Sequence, residues 1–427
     1  MKTTCSLLGL VFGVVASPLL GETDPPGSGS GLIVHEWGTF TSVQGSDGVQ
    51  LEWRPLVGSD LPGFVYELSD SCARRSLSPA RGTKVSLTAL QRMETPVIYF
   101  YTGQEMTVEV GVRFPKGLIT EWYPKVRELQ PVSIRSEQKP PAENGSLGWG
   151  NIRLFPADKN PQLHQLLPVE DSGNHYFAAR ETDSAYVRVC PVTPQDQGIE
   201  YEKFLFYRGV GNFKAPLRAA TTPGGRVQLD NATVNTELSN LFLLEVGDGK
   251  GRFLAIDRLQ GGKPREIGFS PSQEWIALEP LGDEIGRQME KALVSAGLYP
   301  REAAATVKTW RDSWFKEKGL RVLYTIPRAW TDEVLPLALN PRPKELVRVM
   351  VGRAELLAPA MEKRATDDVL RFNSGNRDGR EEALESIREL GRNGEPALRR
   401  VAQMSGDGSV HVGVERMLDV LRLEEGR

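Results

Sequence analysis

Reactive side chains are scarce in this sequence. Three cysteines and four histidines occur among 427 residues, and the histidines show no zinc-type spacing such as His-Glu-x-x-His. There is also no phosphate-binding glycine loop, no Gly-x-Ser-x-Gly nucleophile elbow and no cysteine placed beside a histidine. A near match to a calcium-binding loop at residues 374–385 has serine in place of the first acidic ligand. The sequence therefore predicts no metal site and no cofactor.

Excess charge and long apolar runs are also lacking. The formal net charge of -3 excludes a strongly basic nucleic-acid binder. Beyond the first 21 residues no apolar stretch approaches the about 20 residues that a membrane-spanning helix requires. The composition, 40% hydrophobic and 25% charged, is ordinary for a globular protein, and the length predicts two or three domains.

The N-terminus has the pattern of a secretory signal. Lys2 precedes an apolar run at residues 6–16, which predicts a signal peptide over residues 1–21 with cleavage between Ala16 and Thr23. A short membrane anchor is the alternative. Residues 22–31 are rich in Pro, Gly and Ser and predict a disordered spacer. We therefore expect an exported protein, periplasmic or extracellular, with no transmembrane span after signal removal.

Removal of the signal leaves two cysteines, Cys72 and Cys190. In an oxidising compartment the two side chains could form a disulfide. Two separate buried thiols are the alternative, because sequence alone does not show whether the two residues lie within reach of each other.

Residues 32–270 have the pattern of β-structure. Val108, Val110, Val112 and Phe114 alternate with polar residues and glycine, which is typical of a strand with one buried face. Residues 102–105 are interpreted as a hairpin turn, and the Asp248-Gly249 turn signal predicts another. Short strands with Gly and Pro turns, and no helix between them, predict an antiparallel β-sandwich-like region.

The pattern changes at residue 271. Leu281, Ile285, Met289 and Leu293 recur at helical spacing, and a second helix carries a stripe of core residues that includes two tryptophans, Trp310 and Trp314. Alternating strands follow near residues 322–326 and 347–351. We expect residues 271–352 to form a mixed α/β region packed on the first.

Residues 353–427 are predicted to be helical. The segment Glu382-Ala383-Leu384, with Leu390-Gly391 and Pro396-Ala397-Leu398 after it, resembles a HEAT repeat. That resemblance implies a role in protein contact. The polar break at residues 373–379 predicts that the tail after it is dispensable for folding of the β region. The fold class expected for the whole chain is multidomain α+β.

The stretch His35-Glu36-Trp37-Gly38-Thr39-Phe40 stands at the start of the structured chain. Neither face of the strand it predicts is purely apolar, so we expect an edge strand or the rim of a site. Together with the segments at 309–315 and 321–324, this motif resembles a group of exported bacterial proteins of unknown function. The resemblance implies the bacterial envelope and no particular activity.

Carboxylates beside aromatic residues are the candidate chemistry. Glu36, Glu94 and Glu121 are the candidate catalytic residues, since glycoside hydrolysis uses paired carboxylates near aromatic platforms. The candidate binding residues are His35, Trp37, Trp122 and Tyr123. The structural alternative places the tryptophans in the core and the glutamates at solvated edges.

Two hypotheses for function follow. The first is an exported, non-catalytic envelope protein that binds a protein or a glycan and acts as a scaffold. The alternative is a hydrolase that acts on an extracellular polymer through the paired glutamates. Convergence of Glu36, Glu94 and Glu121 in one pocket would favour the hydrolase.

Overall fold

The computed structural model describes residues 31–56, 61–68, 87–131, 143–169, 173–190, 198–222, 224–233 and 235–425. The predicted signal peptide, almost all of the predicted spacer and Cys72 lie outside these residues. Cys190 is described and half-buried, so its pairing with Cys72 stays a prediction. Within the described ranges, no helix has the length and apolar character needed to cross a membrane.

The described chain forms mainly strands in its first two thirds, and its last third contains most of the helices together with three further strands. The strands are β1 (Ile33–Gln44), β2 (Gln50–Leu51), β3 (Tyr66–Glu67), β4 (Gln91–Tyr101), β5 (Met106–Phe114), β6 (Gly117–Tyr123), β7 (Glu128–Gln130), β8 (Gly145–Phe155), β9 (Tyr186–Val189), β10 (Glu200–Glu202), β11 (Leu205–Gly211), β12 (Leu217–Thr221), β13 (Val227–Asn231), β14 (Leu238–Gly247), β15 (Lys250–Leu259), β16 (Arg265–Ile267), β17 (Ile276–Ala277), β18 (Gly319–Ile326), β19 (Leu337–Asn340) and β20 (Glu345–Leu356). The α-helices are α1 (Leu278–Ser295), α2 (Pro300–Phe315), α3 (Arg328–Val334), α4 (Pro359–Ser374), α5 (Arg377–Arg388), α6 (Gly394–Met404) and α7 (Gly408–Glu425), and short 3-10 helices span Pro161–Leu166, His175–Arg180 and Gly391–Asn393.

Strand β1 lies in the middle of the largest sheet. The strand order is β17-β15-β14-β18-β20-β1-β4-β11-β6-β3, with β2 paired to the end of β1. β1 runs parallel to β20 and antiparallel to β4. The expectation of an edge strand is therefore wrong, because β20 supplies a partner from far along the chain. The sheet combines strands from residues 32–270 with strands from residues 271–352.

Two smaller sheets complete the β-structure. One has the order β10-β9-β8-β5-β19 with β7 also paired to β8, and the other has the order β12-β13-β16. The hairpin predicted at residues 102–105 is wrong, since β4 belongs to the main sheet and β5 to the second. The hairpin at Asp248-Gly249 is confirmed: β14 pairs with β15, and both turn residues have positive φ, 51° and 75°.

The two faces of the main sheet are buried against different partners. One hydrophobic cluster joins Val34 and Phe40 of β1 to residues of both smaller sheets. A second cluster joins Trp37 of β1 to α1 and α2, and it includes Trp310 and Trp314. Successive side chains of a strand point to opposite faces, so each face of β1 needs buried residues. This explains why apolar residues of the motif occur on both faces of the strand and neither face is purely polar.

The C-terminal helices share a core with the N-terminal strands. Helices α4 to α7 pack together and enclose Val43, Leu51 and Trp53, the last only 5% exposed. Arg54 also forms an ion pair with Glu395 of α6 at 3.0 Å. These contacts argue against the expectation that the tail is dispensable, because its removal would expose apolar surface of β1 and β2. The prediction of a mixed helix and strand fold with a helical C-terminal region is confirmed.

Candidate functional site

His35 is fully buried and bound to a carboxylate of α2. Its Nδ1 lies 2.7 Å from Glu302 Oε2, and the Tyr101 hydroxyl donates to Glu302 Oε1 at 2.7 Å. Glu302 occupies the first turn of α2, where it also accepts the Tyr299 backbone N–H at 2.7 Å. Within the described part of the chain, His35 Nε2 has no hydrogen-bond partner. The pair therefore anchors α2 to β1.

Glu36 is fully buried on the opposite face of β1. Arg348 of β20 donates its Nε–H to Glu36 Oε2 at 2.5 Å, and the Tyr207 hydroxyl donates to Oε1 at 2.5 Å. Burial opposes the charge of Arg348, but Glu36 outweighs it, so the pKa of this guanidinium lies above its ordinary value. Both carboxylate oxygens of Glu36 are therefore engaged.

Glu121 is also buried and paired with arginine. Arg208 of β11 donates to both oxygens of Glu121, at 2.9 and 3.2 Å. The residue after Glu36 lies in the cluster with the helices, and the residue after Glu121 lies in the cluster with the smaller sheets. Because successive residues alternate, Glu36 and Glu121 point to opposite faces of the main sheet.

Glu94 lies in a separate buried cluster of charges near the C-terminal helices. It contacts Arg92 at 3.1 Å and accepts the Thr41 hydroxyl at 2.9 Å. Burial alone would raise the pKa of Glu94, but Arg92, Arg392 and Arg353 together lower it. A general acid for glycoside hydrolysis needs the opposite shift. None of the three candidate carboxylates lines any of three cavities, of about 670, 850 and 510 Å³, that open among the described residues.

The centre of this charge cluster is Glu355 on β20. Arg321 and Arg353 approach one of its oxygens at 2.9 and 2.5 Å, and Arg353 continues to Glu317 at 2.6 Å. Burial opposes ionisation of Glu355, but Arg321 and Arg353 outweigh it and lower its pKa to about 2. The cluster joins α2, β18 and β20 beneath the C-terminal helices.

The candidate aromatic residues differ in their surroundings. Trp37 and Tyr123 are 0% and 2% exposed and lie in the core beneath the helices. Trp122 is 6% exposed, stacks on Tyr66 at 6.4 Å between ring centroids, and lines an open groove. Its indole Nε1 has no hydrogen-bond partner among the described residues. Of the candidate site residues, Trp122 lines one of these three cavities.

The groove beside Trp122, which we call the β5–β8 groove, has a volume of about 850 Å³. It crosses β5 and β8 and is bordered by β7 and β19. Gly111, Gly148 and Gly150 form part of its base. The backbone is open at Gly111 and Gly148, whereas the Arg127 side chain covers Gly150. Apolar and charged side chains border it together: Tyr66, Trp122, Val126, Leu129, Leu339, Glu109, Arg113, Lys125, Arg127 and Glu128.

Two glycines of the base have room for a side chain. A Cβ atom built on Gly148 would meet Glu128 at 3.6 Å, and one on Gly111 would meet the Leu147 carbonyl at 3.7 Å, both ordinary contacts. Neither glycine has a positive φ. The sheet itself therefore does not require these two glycines, and a larger side chain at Gly148 would lie beside Glu128, which also lines the groove.

Several residues of these networks escaped the sequence-based reasoning. Arg348 stands between two of the alternating valines of β20, and Arg353 and Glu355 follow at positions that would continue the valine series. Glu302 follows Pro300 at the start of α2. The sequence signal for these networks is the presence of charged residues within strands whose other residues are apolar and predicted to be buried. Among the described residues, no group of three or more His, Cys, Asp or Glu side chains could hold a metal ion.

Comparison with known proteins gives little further information. No family model matches the chain, and no curated protein matches it. Among solved structures, the Fcho1 mu homology domain of Danio rerio with bound Eps15 peptide aligns with 77% of this chain and 98% of its own, at 8% identity and a TM-score of 0.29. The yeast delta-COP-I mu-homology domain aligns with 78% and 100%, at 8% identity and a TM-score of 0.27. Such low scores establish neither a shared fold nor a shared function.

Proposed function

We propose that this chain is an exported protein of the bacterial envelope with a non-catalytic role, and that it binds a protein or a glycan in the β5–β8 groove. The observation that carries the proposal is the groove itself. Its open glycine base, aromatic pair and mixed charged border offer stacking, apolar contact and hydrogen bonding to one extended ligand. The N-terminal leader pattern and the resemblance to exported bacterial proteins support the compartment.

The state of the candidate carboxylates supports a non-catalytic role. A hydrolase needs one carboxyl group that can donate a proton and a second beside it, both in contact with substrate. Glu36, Glu94 and Glu121 are buried, each is paired with arginine, and Glu36 and Glu121 face opposite sides of a sheet. The alternative proposal, hydrolysis of an extracellular polymer, therefore has no specific support from the geometry.

The finer architecture belongs to the same proposal. Residues 32–270, together with β18, β19 and β20, would form a sandwich-like body, for which the shared hydrophobic cluster of the main and smaller sheets is the support. The helices after residue 353 would form a HEAT-like scaffold attached to it, supported by their mutual packing.

A variant that fills the groove tests the proposed site. Gly148→Leu places a side chain in the groove with little change to the sheet, and Gly247→Leu is the matched control, because no atom lies within 4 Å of a Cβ atom at Gly247. Binding would be measured against two panels, purified cell-wall glycans and a displayed peptide library.

We expect saturable binding of the wild type to members of one panel and a loss of about tenfold or more in Gly148→Leu, since steric exclusion removes most contacts. Gly247→Leu should bind like the wild type. The panel that responds identifies the class of ligand. Equal binding by Gly148→Leu and the wild type, or no binding to either panel, would refute the proposal.

A further inference from the structure

A second cavity, which we call the Lys203 cavity, lies on another part of the molecule and shares no lining residue with the β5–β8 groove. Its volume is about 510 Å³, and its lining comes from the 3-10 helices Pro161–Leu166 and His175–Arg180, strand β9, helix α2 and Lys203, which lies between β10 and β11. Three basic side chains line it, Arg180, Lys203 and Arg301, and the exposed His164 lies at its border.

The acidic side chains around this cavity each have a basic partner. Arg180 donates to both oxygens of Glu202 at 2.8 and 2.6 Å, and Glu202 also accepts the backbone N–H of Lys203 at 2.8 Å. Asp183 pairs with Arg301. Glu181 pairs with Lys308 at 2.5 Å. These three carboxylates are thus matched by three other cations.

Lys203 is the cation that remains. Its side chain is 4% exposed, its ammonium donates to the backbone carbonyl of Ser184, and its Nζ lies 4.6 Å from the centre of the Tyr186 ring. Among the described residues no carboxylate lies within 4.0 Å of this nitrogen. An ammonium group carries three donors, and a neutral carbonyl and a ring face compensate its charge less well than an anion does.

Burial also affects the ionisation of this lysine. Burial is the largest influence and lowers the pKa of Lys203 to about 8, although Asp183 and Glu202 act in the opposite direction. A buried ammonium without a carboxylate partner is destabilised relative to its neutral form. An anion bound beside it would remove that penalty, so binding and protonation of Lys203 must favour each other.

We propose that the Lys203 cavity binds a small oxyanion, a carboxylate or a phosphate group, with the Lys203 ammonium as its counter-ion. Arg180 and Arg301 add positive potential at the wall and border, although each already has an acidic partner. The apolar border formed by Phe177 and Val169 accommodates the remainder of an organic anion. The site is independent of the function proposed for the β5–β8 groove.

Calorimetric titration of the full chain with inorganic phosphate, and separately with malonate, at constant ionic strength and pH 7 tests the site. We expect saturable binding of one or both anions by the wild type. Lys203→Gln should weaken it by about tenfold or more, because charge-assisted hydrogen bonds are the strongest polar contacts available. Lys263→Gln, which removes the same charge from an exposed lysine elsewhere, should leave binding unchanged.

A pH series with malonate provides a test that needs no variant. Above pH 7 the malonate carboxylates remain ionised, so the affinity should fall as the pH rises through about 8, where Lys203 loses its proton. The other titratable and charged side chains that face Lys203 are Arg180, Arg301, Glu181, Asp183, Glu202, His164 and Tyr186. Burial raises the pKa of Tyr186 further above 10, outside the range of this series. Absence of saturable binding, a constant affinity across this range, or wild-type affinity in Lys203→Gln would overturn the proposal.

Discussion

Replacement of Glu36 by glutamine removes one charge from a pair that is closed to solvent. Glu36 and Arg348 are both almost completely buried, and the guanidinium also donates to Asp332 at 2.8 Å and to the Leu335 carbonyl at 2.7 Å. Glutamine preserves the size of the side chain and can still accept hydrogen bonds. The main consequence of Glu36→Gln is therefore an incompletely compensated charge on Arg348.

The size of the effect follows from this burial. Removal of one partner from a buried ion pair costs about 3–5 kcal/mol, because the other charge stays in a medium of low polarity. Asp332 is half exposed and compensates part of the charge of Arg348, so we expect the lower end of that range. Glu36→Gln should thus lower the free energy of unfolding by about 3 kcal/mol.

Urea unfolding followed by tryptophan fluorescence measures this difference. Glu52→Gln is the control, because Glu52 is exposed and an exposed glutamate contributes about 1 kcal/mol or less. Combining Glu36→Gln with Arg348→Met should recover much of the loss, since the second change removes the uncompensated charge. The buried pair would not have the stabilising role described here if Glu36→Gln lowered the free energy of unfolding no more than Glu52→Gln does. The same would follow if the losses caused by Glu36→Gln and Arg348→Met simply added in the double variant.

Two other predictions concern the same architecture. The folded-state pKa of Glu355, about 2, lies below the unfolded value of about 4.3, so the stability this residue contributes is present above pH 4.3 and is lost as the pH falls toward 2. The stability difference between the wild type and Glu355→Gln, measured by urea unfolding, should therefore shrink between pH 7 and pH 3, and a constant difference would contradict this. Trp53→Ala should lower the free energy of unfolding by about 3–5 kcal/mol, because Trp53 is buried in one cluster with Leu51 of β2 and the C-terminal helices. A loss below about 1 kcal/mol in the same measurement would show that the tail adds little to the core.

Local features of the fold could be predicted from the sequence, whereas the pairing of distant strands could not. The alternation of β5, the turn at Asp248-Gly249 and the apolar stripe of α1 depend on neighbouring residues, and each occurs in the structure. The position of β1 depends on β20, whose Arg348 lies 312 residues beyond Glu36. No pattern within the motif indicates a parallel partner that distant.

The candidate site was harder to predict for a related reason. A glutamate beside a tryptophan on a strand can mean a solvated rim or a buried pair, and the difference lies in which residue stands on the neighbouring strand. For Glu36 and Glu121 that residue is arginine. The β5–β8 groove could not be inferred at all, because it depends on glycines of two strands coming to lie side by side.

Three buried ion pairs of the main sheet share one geometric property that explains why their charges lie within strands. Glu36 lies directly opposite Arg348, Glu121 opposite Arg208, and Arg321 opposite Glu355 in the strand register. A slip of one residue between two strands would turn every side chain of one strand to the other face. Each charge would then be buried without its partner, which costs several kcal/mol per pair. A valine turned to the other face by the same slip would still contact apolar surface, because both faces of this sheet are buried. The ion pairs therefore discriminate between registers more strongly than the apolar residues beside them, and the motif at the start of the chain fixes the alignment of β1 with β20.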